Sequence, residues 1–142
     1  MRLLVLDTNI VLDLFVFDDS AARELKSGLE EGSFRWVATQ PMRDELERVL
    51  AYEHIVAKMV FYRLTAEQVL SGFDRHASIV AVPARAAVAC KDPDDQKFID
   101  LAIENRCVLL SKDNAVLSMK KRLAALDVST APALALSSYA RS

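Results

Sequence analysis

Two short runs, Leu3-Leu4-Val5-Leu6 and Cys107-Val108-Leu109-Leu110, are apolar at every position. Runs that short and unbroken predict strands covered on both faces, the usual state of central parallel strands. Elsewhere the period changes. Phe34 to Ala38 alternates and is β-rich, predicting a second strand, and Ser78 to Val82 predicts an edge strand closed by Pro83. Ile10 to Phe17 reads as a short helix or an irregular crossing of the sheet, with Asp13 in its midst. A helix over about residues 20–31 is predicted from Ala21, Leu25 and Leu29, capped by Asp18-Asp19-Ser20 and stopped by Gly32-Ser33. Pro41, with Thr39 or Gln40 as cap, opens a helix over 41–52 whose apolar stripe is Met42, Leu46, Val49 and Leu50. Tyr52 to Leu64 reads as helix, and Thr65-Ala66-Glu67-Gln68 as the start of another with Val69, Leu70 and Phe73 inside. Asp92-Pro93 opens a helix with Phe98, Leu101 and Ala102 inside. A further helix follows Asp113, with Val116, Met119, Leu123 and Leu126 facing in. Asp127 to Thr130 is a last strand, and residues from Pro132 on form a short helix.

Strands and helices alternate, which favours a mostly parallel α/β sheet with helices on both faces. In such a sheet the strand ends and the starts of the following helices share one rim, where ligand crevices form. Asp7 ends the first strand with Thr8 and Asn9 beside it, and Asp113 follows the strand that leads into Ser111-Lys112. Asp7 alone would also suit a turn or a cap. Glu45 lies three past Met42 and four before Val49, at the border of the buried stripe; Arg43 or Arg48 could pair with it. Asp92 as cap and Pro93 at the first position form a normal helix start, yet three acids in four residues exceed what capping needs. Asp95 is the one set to look inward beside Phe98, though its helix leads into a strand, so its place at the rim depends on how the connection runs.

The chain has 142 residues, enough for one domain over 1–142 with a sizeable core, and 52% apolar with 27% charged residues is ordinary globular composition. A net charge of -2 argues against gripping nucleic acid by bulk electrostatics. Lys120-Lys121-Arg122 is a local basic cluster toward a helix end, suited to the helix dipole or to phosphate. Cys90 and Cys107 lack metal or framework spacing and read as buried free thiols; His54 and His76 have no partner at metal spacing. The apolar run before Asp7 is short for a signal peptide and no run reaches membrane-spanning length, so a soluble cytoplasmic protein is expected.

Gathered at one rim, these acids would repel: two like charges about 4 Å apart cost roughly 4 kcal/mol at an effective dielectric near 20. A divalent cation removes that cost. All-oxygen donors select hard ions, Mg²⁺ or Mn²⁺ first, which acidify water and offset phosphodiester charge. With three glycines in the chain, a phosphate-cradling loop is absent, as is a Ser/His/Asp set.

The stretches LVLDTNIVLD, PMRDELERVL, DPDDQKFIDLA and LLSKDNAVL resemble, in order and spacing, the four acidic motifs of PIN-domain proteins. The DPDD form is similar to the branch assigned as toxins of toxin–antitoxin pairs. The resemblance implies a three-layer α/β/α sandwich with a five-stranded sheet of order 3-2-1-4-5, and a Mg²⁺- or Mn²⁺-dependent ribonuclease acting on single-stranded RNA. It also implies a protein antitoxin and a homodimer as partners. By motif position, Asp7, Glu45, Asp95 and Asp113 would be the catalytic, metal-binding acids, Asp92 an additional ligand candidate, and Thr8, Asn9 and Ser111 supporting polar groups. Lys112, where relatives commonly carry glycine, joins Lys120, Lys121 and Arg122 as a candidate phosphate contact. The rival readings are a non-catalytic nucleic-acid- or partner-binding module and a phosphoacceptor domain using Asp7.

Overall fold

Strand β1 (Arg2–Leu6) sits at the centre of a five-stranded, all-parallel sheet of order β3-β2-β1-β4-β5. The computed structural model describes residues 2–133. Its other strands are β2 (Phe34–Ala38), β3 (Ala77–Ile79), β4 (Val108–Leu110) and β5 (Ser129–Ala131). Leu4, Val5, Leu109 and Leu110 are fully buried, which explains their lack of alternation. Each such side chain contributes roughly 1.5–3 kcal/mol of burial.

Between β1 and β2 run α1 (Thr8–Phe15), a 3-10 turn (Ser20–Ala22) and α2 (Arg23–Glu31); between β2 and β3 run α3 (Gln40–Val49), α4 (Glu53–Phe61) and α5 (Ala66–His76). α1 touches α2, α3 and α5, and Trp36 of β2 is clamped between Phe73, 4.8 Å away edge to face, and Phe15. Right-handed crossovers put these helices on one face. On the other lie α6 (Gln96–Asn105), packed on β1 and β4, then α7 (Asn114–Leu117) and α8 (Lys120–Ala124), packed on β5. The result is the expected three-layer α/β/α sandwich. Among the described residues no helix is long and apolar enough to cross a membrane.

Residues 80–92 carry the chain from β3 to the helix on the other face. β3 is parallel to its neighbour, so it ends at the carboxyl rim, and the helix it feeds must begin there. α6 holds this connection down: Gln96 accepts from the Cys90 N–H (2.7 Å) and donates to the Val88 carbonyl, while Asp100 accepts from the Ala86 N–H.

Several expectations need correction. The helix predicted over 20–31 begins as a 3-10 turn and buries Ala22, not Ala21, because Asp19 caps the turn through the Ala21 N–H and shifts the phase. The helix after Asp113 is two short helices broken at Ser118-Met119, so Lys120 opens α8 and only Lys121 and Arg122 lie in its last turn; Leu126 is exposed. The Asp127–Thr130 strand begins at Ser129, since Asp127 takes a left-handed conformation (φ 64). The edge strand spans Ala77–Ile79, not Ser78–Val82, although the Val80 N–H still reaches the Ala38 carbonyl. Cys90 is half-buried. The helix expected from Pro132 on falls, past Ala133, outside the described residues.

Candidate metal centre

The register of β1 on β4 pairs Leu6 with Leu110, so the next residues, Asp7 and Ser111, meet at the rim. The ladder continues one step, with the Asp7 N–H on the Leu110 carbonyl at 2.9 Å. Asp7 occupies the cap position of α1, yet its carboxylate caps nothing. It accepts instead from the Ser111 hydroxyl at 2.6 Å, and Ser111 Oγ accepts in turn from the Asp113 N–H. Ser111 is a bridge between two acids.

Asp113 uses one oxygen to cap α7 through the Ala115 N–H, 2.9 Å away. Asp92 caps the 3-10 turn Pro93–Asp95 through the Asp94 N–H. Asp95 makes no cap bond. Its residue is 6% exposed and its Oδ2 is buried without any partner. Stacked positions on a helix start thus divide the labour: the first acid serves the backbone and the fourth points into the rim.

One carboxylate oxygen from each of Asp7, Asp95 and Asp113 lies within 4.8 Å of the others. Burial pushes the Asp95 carboxyl up to about 8, helped by the Asp113 carboxyl with which it can share a proton and by the charge of Asp7. Asp7 is raised as well, first by burial and then by the charges of Glu45 and Asp113, against the opposing Ser111 and Thr8 hydrogen bonds. Carboxylates whose charged forms are disfavoured by burial and by one another's charge form a strong site for a multivalent cation, which supplies the missing positive charge. Three converging oxygens, one of them orphaned and buried, fit a hard divalent ion.

Glu45 is not part of this triad. The Thr8 hydroxyl donates to its Oε2, and Lys97 Nζ lies 2.6 Å from its Oε1. The alternative pairing of Glu45 with Arg43 or Arg48 is absent among the described residues' ion pairs; Arg43 binds Asp74 and Glu47 instead. Asp92 also stays outside the triad. Asn9 braces the rim by accepting from the Lys112 N–H at 3.3 Å. Lys112 Nζ lies 2.6 Å from the buried Asp13, so as a phosphate contact it would have to abandon a carboxylate that burial makes dependent on it. Lys120, Lys121 and Arg122 are exposed and outside the acid cluster.

Sequence reasoning missed Lys97, Gln96 and Asp100. A cation two positions past an inward acid was the available signal for Lys97. For Lys112, the signal was the lone Asp13 in an apolar run, which had to find a cation. A family model described as PIN domain matches residues 3–115. No curated protein matches the chain.

Proposed function

The chain belongs to the PIN-domain family, whose members are generally metal-dependent nucleases, and from that membership we propose that it is a Mg²⁺- or Mn²⁺-dependent endoribonuclease of the cytoplasm acting on single-stranded RNA. The observation that carries the reading is the orphaned, buried Asp95 Oδ2 within a triad whose oxygens lie within 4.8 Å of one another. In it, Asp7, Asp95 and Asp113 would hold the ion, which when bound would activate a water and offset charge on a phosphate oxygen. Ser111 orients Asp7 and positions Asp113; Thr8 orients Glu45; Asn9 ties the exits of β1 and β4 together.

Lys120, Lys121 and Arg122 are exposed cations that would track the backbone of an extended polymer substrate beyond the acids. A role as the toxin of a toxin–antitoxin pair follows the DPDD resemblance and adds a protein antitoxin as partner. The non-catalytic reading loses one of its motives, because the unusual Lys112 has a structural partner in Asp13.

Purified protein with Mg²⁺ or Mn²⁺ should cut single-stranded RNA, and Asp7→Asn should slow cleavage by at least about 100-fold, beyond the range seen for outer-shell changes. Cleavage unchanged by that substitution, or RNA binding without cleavage in either metal, would overturn the nuclease reading.

A further inference from the structure

Two rim lysines among the described residues are ion-paired: Lys112 to Asp13, and Lys97 to Glu45, the carboxylate whose charge acts on Asp7. Lys97 Nζ lies 2.6 Å from Glu45 Oε1, donates to the Asp94 carbonyl, and sits 4.9 Å from the centre of the Phe98 ring. The contacts join α3, which carries Glu45, to the turn and helix that carry Asp95. Both partners are largely sheltered, with side chains 25% and 17% exposed, so neither leaves the other without stranding a charge. Glu45 is engaged at both oxygens, by Lys97 and by Thr8, whereas Asp95 in the triad has a buried oxygen that no cation or hydroxyl engages.

The charge balance agrees. Four carboxylates without a lysine would need two divalent ions for neutrality, while one divalent ion and one ammonium leave a single excess negative charge. We propose that Lys97 is a built-in cation of this centre: it keeps Glu45 off the metal, so that the three aspartates bind one divalent ion and Glu45 supports the site only through Lys97 and Thr8. Lys97 is thereby a positioning residue for the rim, and it fills with a fixed charge the place where a second ion could otherwise bind. The inference rests on the metal reading above.

Calorimetric titration with Mn²⁺ alone, paired with loss of the free-ion paramagnetic resonance signal, tests it without any activity readout. The wild type should bind one ion per chain, and Glu45→Gln should leave that count intact with affinity changed less than the roughly 10-fold minimum typical of metal-supporting residues. Lys97→Met should free Glu45 and either add a second ion or raise affinity by about 10-fold, while Lys97→Arg should keep the wild-type count. Should Lys97→Met fail to fold, the Glu45→Gln titration still decides. Two ions in the wild type with one lost in Glu45→Gln would overturn the role of Lys97 but not the metal reading, as would a folded Lys97→Met protein that binds like the wild type. No Mn²⁺ binding by the wild type would overturn both.

Discussion

At the carboxyl rim of the sheet three aspartates converge, two of them buried, whereas the amino rim carries a cleft of about 270 Å³ lined by Arg2, Asn105, Arg106, Asp127 and Ser129 among others. That cleft is the quieter place. Parallel strands send helix ends there, and those ends close on themselves: Asn105 donates to the Leu101 carbonyl, and the N–H groups of Arg106 and Asp127 return to Ile103 and Ala124. At the opposite rim the backbone is equally well capped, but a buried carboxylate oxygen has nothing to bind and two aspartates are pushed up by their surroundings. A buried, unpartnered carboxylate oxygen among other acids, more than empty volume, marks where a cation would bind.

Asp95→Asn makes the sharpest cut between the two rims. It should weaken Mn²⁺ binding by at least about 100-fold, while Asn105→Ala at the amino rim should leave calorimetric binding unchanged. The same substitution tests the proton count. Asp95 is raised from 3.8 to about 8, so across that window the folded state holds a proton that the unfolded chain has released. Stability of the metal-free protein should therefore fall as pH rises from about 4 to 8, and Asp95→Asn should flatten the decline in melting temperature. Metal affinity should run the other way, rising by up to about tenfold per pH unit below 8 as that proton leaves more easily. A flat affinity profile would show that the triad is not protonated without its ion.

Gln96→Leu probes how the carboxyl rim is supported. The Cys90 N–H and the Val88 carbonyl lose their partner, which should cost about 1–3 kcal/mol in denaturant unfolding. Metal binding should weaken less than in Asp95→Asn; an equal loss would mean that the 80–92 connection sets the triad's geometry. The smallest effect belongs to the amino rim. Arg106 holds a left-handed conformation (φ 47) after α6, and Arg106→Gly should raise stability by about 0.5–1 kcal/mol without touching metal binding. Destabilisation there would show that the Arg106 side chain has work of its own in the cleft.

Much of this contrast is legible in the chain. The unbroken apolar runs mark β1 and β4 because burial on both faces forbids alternation, and each strand is followed by its acid, Asp7 at once and Asp113 after Ser111-Lys112. Cap chemistry separates Asp92 from Asp95 in sequence, since only one acid is needed to start the turn. Asp95 could be assigned to the rim only once β3 was known to be parallel, a long-range pairing with three residues of weak pattern behind it. The partner of Glu45 was hidden for the same reason. Local periodicity offered Arg43 and Arg48, and the contact that wins spans 52 positions from another helix.

The Ser111–Asp7 bond joins residues 104 apart, which sets a schedule for the molecule's birth. At roughly 5–20 residues per second, β1 leaves the ribosome several seconds before the strand that must flank it, and the third aspartate comes later still. A nascent or truncated chain that stops short of Asp113 cannot assemble the acidic triad, so whatever chemistry it supports begins only after most of the chain has been made.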